Sequence, residues 1–84
     1  MIPDSEIITT LLRVLNSCGT YPLREDIIYT QYNTTAMTVQ TMAALRAHLQ
    51  FCKDKGWVDY LCSEIDRAKN WFITSEGKVV LKNA

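Results

Sequence analysis

The sequence has few glycines, no net charge and no long apolar run. Its three glycines belong to no GxSxG, P-loop or dinucleotide-binding pattern, so none of these catalytic or nucleotide sites is predicted. No apolar run approaches the roughly 20 residues that a membrane-spanning helix needs. The opening segment, MIPDSEII, lacks the basic and apolar regions of a signal peptide. We therefore expect a cytoplasmic protein with no membrane partner.

The cysteines and the single histidine form no recognisable metal or catalytic pattern. Cys18, Cys52 and Cys62 are scattered without a CxxC pair, and an odd number of cysteines favours a reduced protein. His48 and Cys52 are spaced i, i+4, but a structural zinc site needs four ligands and no second pair stands at ligand spacing. We expect no metal and no cofactor. A lone histidine without an evident nucleophile partner predicts no enzyme.

Length and composition predict one globular domain over residues 1–84. The apolar fraction of 48% and the charged fraction of 21% are typical of a folded chain rather than a disordered one. A chain of 84 residues can bury a modest core and fold alone.

The charges of the chain cancel, with nine basic and nine acidic residues. A nucleic-acid-binding domain usually carries a basic surface, so this balance favours a protein partner instead. The distribution is uneven, however. Residues 1–45 contain two bases and four acids, whereas residues 46–84 contain seven bases and five acids. The positive excess lies in the half that contains the longest predicted helix and a predicted β-hairpin.

Residues 55–81 are the most informative segment of the chain. Gly56 suits a helix C-cap, because glycine adopts the left-handed backbone conformation without steric cost. Two runs of aromatic and β-branched residues, at 57–63 and 69–74, flank a polar tip and predict two antiparallel strands. Trp57 and Trp71 are expected to close the hydrophobic core beneath this hairpin. Ser75-Glu76-Gly77 would open a short final helix.

Two helices are predicted before residue 33. The first follows the start signals Pro3-Asp4-Ser5 and stops at Gly19. The second, from residue 24 to about residue 32, begins with the acidic pair Glu25-Asp26, and Asn33-Thr34-Thr35 should break it and offer capping hydroxyls. The residues predicted to be buried are Ile8, Leu11, Leu12 and Leu15 in the first helix and Ile27, Ile28 and Tyr32 in the second.

A third helix is predicted over residues 38–55. Its buried stripe runs through Met42, Leu45, Leu49 and Cys52, and Leu45 and Leu49 should lie deep between the first two helices. The opposite face is small and rich in amides. It suits contacts with base edges in a major groove, since glutamine can pair with adenine and alanine can touch a thymine methyl. It equally suits packing against a protein. This face carries Gln40, Ala43, Ala47, Gln50 and Asp54.

The order of these elements resembles the winged helix-turn-helix domains of the MarR- and PadR-like families. In those families the hairpin, or wing, carries an Asp-Arg pair at its tip, and its last strand ends in a Leu/Ile-Thr-x-x-Gly turn. Asp66-Arg67 and the run from Ile73 to Gly77 match these motifs, and the resemblance spans residues 5–82. It implies an α+β fold, with a three-helix bundle, a two-strand wing and a short C-terminal helix. It also implies a brief strand at residues 21–23 that pairs with the wing.

The resemblance implies duplex DNA binding by a small transcriptional or accessory regulator. Helix 38–55 would enter the major groove and the wing, residues 63–70, would cover the minor groove. Two alternatives remain open: a winged helix that binds protein within a larger complex and no DNA, and a regulator that forms a homodimer through its first helix or its C-terminal segment. The candidate DNA-binding residues are Thr35, Thr38, Gln40, Thr41, Arg46, Arg67 and Lys69.

Overall fold

A computed structural model of the chain describes residues 4–18, 21–36, 38–65 and 67–83. Within these residues, four helices and three strands follow one another in the predicted order. They are α1 (Ser5–Ser17), β1 (Leu23–Arg24), α2 (Glu25–Thr35), α3 (Met42–Asp54), β2 (Val58–Cys62), β3 (Lys69–Ile73) and α4 (Ser75–Lys82). The α+β architecture predicted from the sequence is confirmed. No helix of the described residues is long and apolar enough to cross a bilayer.

The strands form one antiparallel sheet in the order β1-β3-β2. Val58 of β2 lies opposite Ile73 of β3, which confirms the predicted hairpin. On the other edge of β3, Leu23 lies opposite Trp71. The brief strand expected at residues 21–23 therefore covers Leu23–Arg24 instead. Pro22 precedes it, and a proline has no N–H to give to a strand ladder.

The start of α1 is fixed by a side-chain cap. Asp4 Oδ1 accepts hydrogen bonds from the backbone N–H groups of Glu6 (2.9 Å) and Ile7 (3.4 Å). These amides have no partner within the helix, so the carboxylate satisfies donors that would otherwise be left to solvent. The predicted start at Asp4 is confirmed, while Pro3 and Gly19 lie outside the described residues.

The second helix ends later than predicted, since α2 continues through residues 33–35 to Thr35. The expected break is wrong, because the side chains of Asn33 and Thr34 form hydrogen bonds that leave the helix backbone intact. The Thr34 hydroxyl donates to the Thr30 carbonyl oxygen one turn earlier, at 2.8 Å. The helix also begins one residue later than predicted, because Arg24 belongs to β1 and caps α2 with an extended backbone.

One residue of α2 that was predicted to be buried is exposed. Ile28 and Tyr32 are buried as expected, with exposed fractions of 0% and 2%, but Ile27 is 40% exposed. Consecutive helical residues point about 100° apart. A helix that turns Ile28 and Tyr32 into the core therefore turns Ile27 towards the edge of its buried face.

The third helix begins at Met42, four residues later than predicted. The Asn33 side chain holds the preceding segment out of the helix by binding both backbone groups of Gln40. Its Nδ2 donates to the Gln40 carbonyl at 3.3 Å, and its Oδ1 accepts from the Gln40 N–H at 2.9 Å. Thr41 then caps α3, its hydroxyl oxygen accepting from the Ala44 N–H at 3.1 Å.

The C-terminal end of α3 lies one residue before its predicted position. The helix ends at Asp54, and Gly56 has a positive φ of 80°. The Gly56 N–H donates to the Lys53 carbonyl at 2.9 Å. Gly56 therefore ends the helix in the left-handed conformation that the sequence predicts.

The core lies between the three helices and the inner face of the sheet. Leu45 and Leu49 are each 1% exposed, as predicted. Cys52 is fully buried, and burial raises the pKa of its thiol to about 11, so this cysteine stays neutral. Trp71 is buried beneath the wing as expected. Trp57 is half-buried instead and meets the Phe51 ring edge-on, with ring centroids 6.1 Å apart.

His48 is a buried residue that joins α3 to the start of α1. Its Nδ1 donates to the Ala44 carbonyl at 2.8 Å, because a carbonyl oxygen can only accept. Its Nε2 accepts from the Asp4 N–H at 3.3 Å. Both ring nitrogens are therefore engaged in hydrogen bonds with the backbone. Within the described residues no group of three or more histidine, cysteine, aspartate or glutamate side chains could hold a metal ion.

Candidate nucleic-acid interface

The face of α3 opposite the core carries two alanines, a glutamine and an aspartate. Ala43, Gln50 and Asp54 are exposed and Ala47 is half-buried, as the sequence predicts. Gln50 Nε2 donates to Asp54 Oδ1 at 3.0 Å, which orients the amide along the helix. Because the alanines add little bulk, another surface can approach the α3 backbone closely. A helix inserted into a DNA groove needs such an approach.

Gln40 does not share this face. It precedes α3, is half-buried, and has both backbone groups held by Asn33. The prediction that Gln40 projects from the exposed face of α3 is therefore wrong. Gln50 is the exposed glutamine that α3 itself carries.

The three candidate threonines lie around the α2–α3 connection. Thr35 is the exposed last residue of α2, and Thr38 is exposed within the connection. Both line a cleft of about 400 Å³ against α1, together with Arg13. Thr41 caps α3, and its hydroxyl proton remains free to donate to a phosphate. The structure thus places Thr35 and Thr38 on the α1 side of the helix-turn-helix.

Two of the three basic candidates, Arg46 and Lys69, line a cleft between the helix-turn-helix and the wing. Arg24, Arg46 and Lys69 come from β1, α3 and β3 and line a space of about 310 Å³. Glu25 and Asp26, at the start of α2, line the same space. We call this space the basic cleft. Its lining combines three cations with two carboxylates.

Each arginine of the basic cleft faces a carboxylate. Arg46 Nε lies 2.8 Å from Glu25 Oε2, and Arg24 Nε lies 3.6 Å from Asp26 Oδ1. Both arginine side chains are more than half exposed. Ion pairs of this exposure contribute about 0–1 kcal/mol, so a phosphate can compete for their guanidinium groups.

The Tyr60 ring lies close to two ammonium groups between α3 and the wing, those of Lys69 and Lys53. Lys69 Nζ lies 4.9 Å from the centre of its ring and Lys53 Nζ lies 5.4 Å away. The tyrosine ring in turn contacts Trp71, with centroids 4.9 Å apart, and Lys53 is also 3.7 Å from Asp59. These are cation–π contacts that hold both lysines beside the wing. Lys69 thus belongs to the basic cleft and to this aromatic cluster.

Lys53 and Tyr60 were not among the residues predicted from the sequence. One feature of the sequence could have identified Tyr60. Side chains alternate between the two faces of a strand, so Val58 and Tyr60 lie on the same side of the sheet. Nothing in the sequence pattern connects Lys53 to that strand.

Arg67 occupies the tip of the wing. Its φ is +55°, its side chain is exposed, and its N–H donates to the Ser63 carbonyl at 2.9 Å. The Ser63 N–H donates in turn to the Ala68 carbonyl at 3.0 Å, which closes the turn. Asp66, the other member of the predicted Asp-Arg pair, lies outside the described residues. The turn presents Arg67 to solvent at the far end of the hairpin.

Known structures share this fold over most of the chain. A PadR family transcription regulator from Clostridium difficile has a TM-score of 0.79 and 17% sequence identity, covering 92% of this chain and 80% of that one. A winged-helix DNA-binding protein of STIV has a TM-score of 0.75 and 15% identity, with coverages of 89% and 78%. No protein-family model and no curated protein matches the chain.

A third similar structure contains nucleic acid. FabT from Streptococcus pneumoniae, determined in complex with DNA, has a TM-score of 0.66 and 15% identity. The match covers 93% of this chain and 49% of that one. These comparisons establish the winged-helix fold that the sequence predicted.

Proposed function

We propose that the protein binds duplex DNA and acts as a small transcriptional regulator. The basic cleft is the observation that carries this proposal, because Arg24, Arg46 and Lys69 bring cations from three elements to one side of α3. A winged helix with α3 in the major groove and the wing on the minor groove would set this cleft against the phosphate backbone. Phosphate contacts of this kind provide affinity that does not depend on sequence.

The exposed face of α3 would read the bases. Ala43 lies in the first turn of the helix and Gln50 two turns later, about 10 Å along its axis, so they would meet different base pairs of the groove. Gln50 can pair with adenine, and the alanine methyl groups can contact thymine. The Thr41 hydroxyl and the N-terminal amides of α3 would bind a phosphate at the groove edge.

The similar structures support this proposal, since they include a transcription regulator, a DNA-binding protein and a protein in complex with DNA. The even balance of charge is compatible with it. Carboxylates of Glu25 and Asp26 offset the two arginines of the basic cleft, so we expect weak affinity for random duplex and a greater dependence on contacts from α3.

Removal of the wing charges should weaken DNA binding for every sequence. We expect Arg67→Ala with Lys69→Ala to lower affinity and to flatten the dependence of log K on log salt by about one to two units. The slope falls because binding releases fewer counterions when the protein neutralises fewer phosphates. The measurement is a fluorescence anisotropy titration of labelled duplex at several salt concentrations. Lys78→Ala with Lys82→Ala removes the same charge from exposed positions of α4 and serves as the control.

Circular dichroism should show that both double variants remain folded. Equal binding by the wing variant and the wild type would exclude the wing as a phosphate contact. If the wild type fails to bind duplex even at low salt, the DNA proposal is wrong and a protein partner becomes the better explanation. Two exposed apolar residues of the hairpin between β2 and β3, Leu61 and Ile65, would then be the first contacts to test.

A further inference from the structure

Glu25 makes the shortest ion pair among the described residues, at 2.8 Å from Arg46. Its side chain is 19% exposed, whereas that of Arg46 is 60% exposed. Glu25 opens α2, and the positive end of a helix dipole stabilises a carboxylate at that position. The carboxylate is therefore stabilised by its own helix, while the arginine it binds faces the cleft and solvent.

The Glu25 carboxylate binds the guanidinium group that the proposed function assigns to a DNA phosphate. Carboxylate and phosphate oxygens form the same type of charge-assisted hydrogen bond with a guanidinium group. Arg46 lies in the basic cleft beside Arg24 and Lys69, where the proposed function places the phosphate backbone. Even where the terminal nitrogens of Arg46 remain accessible, an adjacent carboxylate cancels the charge that attracts a phosphate.

We propose that Glu25 competes with DNA phosphate for Arg46 and thereby lowers the sequence-independent affinity of the protein for duplex DNA. This inference rests on the proposed function and specifies its ligand chemistry, a phosphodiester that displaces an internal carboxylate. Exposed ion pairs contribute about 0–1 kcal/mol, which converts to no more than about a five-fold change in affinity. Glu25 thus reduces binding through phosphates without abolishing it.

Glu25→Gln tests the proposal with a closely matched control. Glutamine keeps the shape of the side chain and removes the charge that holds Arg46. Glu76→Gln makes the same chemical change in the first turn of another helix, α4, outside the basic cleft. Both variants raise the net charge by one, so the difference between them isolates the contact with Arg46.

We expect Glu25→Gln to bind random duplex about two- to five-fold more tightly than Glu76→Gln at low salt. The salt dependence should steepen by about one unit, because Arg46 then neutralises a phosphate in full. Arg46→Gln provides the reciprocal variant. In that background, the addition of Glu25→Gln should change affinity only as much as Glu76→Gln does. Thermal unfolding checks that each variant is folded.

Two results would overturn the inference while leaving the proposed function intact. If wild type binds duplex and Glu25→Gln binds no better than Glu76→Gln, Glu25 does not compete with DNA. If Glu25→Gln binds more weakly than wild type, Glu25 instead orients Arg46 for its phosphate. If neither wild type nor Glu25→Gln binds duplex at low salt, the proposed function fails and the inference fails with it.

Discussion

Replacement of Leu45 or Leu49 with alanine is expected to lower the free energy of unfolding by about 2–5 kcal/mol. Each leucine is 1% exposed and lies in the core shared by α3 and the other helices. Truncation removes buried apolar surface and leaves a cavity that closely packed neighbours fill only in part. Small domains have a total stability of about 5–15 kcal/mol, so either substitution would remove a large share of it.

Chemical denaturation measures this effect, and Leu61→Ala is its control. Leu61 is 59% exposed on β2, so the same chemical change there removes little buried surface. We expect the denaturation midpoint of the control to stay close to that of the wild type. Equal midpoints for Leu49→Ala and Leu61→Ala would mean that α3 presents a different face to the core.

Gly77→Ala is expected to destabilise the protein, by about 1–3 kcal/mol. A Cβ atom on Gly77 would overlap the carbonyl oxygen of Trp57 and lie 2.7 Å from Cγ1 of Ile73. The Trp57 carbonyl cannot easily withdraw, since it accepts the Thr74 N–H at 3.0 Å. In a helix without such a contact, the change from glycine to alanine would stabilise by about 0.5–1 kcal/mol. The sign of the change in stability therefore reports how closely α4 packs on Trp57 and Ile73.

Thermal or chemical unfolding gives that sign, with Glu76→Ala as the neighbouring control. Glu76 is exposed in the same turn, and surface substitutions usually change stability by less than about 0.5 kcal/mol. A Gly77→Ala protein more stable than the wild type would show that α4 does not rest against the Trp57 backbone.

The wing and its closing turn could be predicted because their signals are local. Gly56 adopts the left-handed conformation for which glycine is suited, and the aromatic strands follow it directly. Thr74 accepts the Gly77 N–H at 3.2 Å and donates to the Gly56 carbonyl at 2.6 Å. The Thr-x-x-Gly motif thus has a physical basis as a helix cap that also ties α4 to the end of α3.

The start of α3 could not be predicted because a contact seven residues apart decides it. Residues 38–41 have no proline or glycine that would exclude a helix. The amide of Asn33 fixes the Gln40 backbone outside the helix, and Asn33 itself stays within α2. Local patterns alone place both residues wrongly. The error shifted Gln40 onto α3, where Gln50 is the exposed amide.

The candidate interface was predictable as a set of charges but not as an arrangement. Arg46 and Lys69 were identified as cations, and the structure brings both to the basic cleft. Arg46 contacts Glu25, which is 21 residues away in sequence. Lys69 shares the Tyr60 ring with Lys53. Such pairs depend on how α2, α3 and the wing pack together, and neither periodicity nor spacing reveals them.

We propose that α3 and the wing form the face that binds duplex DNA. Titration of ¹⁵N-labelled protein with a short DNA duplex tests this proposal directly, because each backbone amide shift reports contacts at its own residue. We expect the largest changes in α3 from Ala43 to Gln50 and at Arg67 and Lys69. Changes confined to the cleft lined by Pro22, Leu61 and Phe72, or no changes at low salt, would contradict the claim.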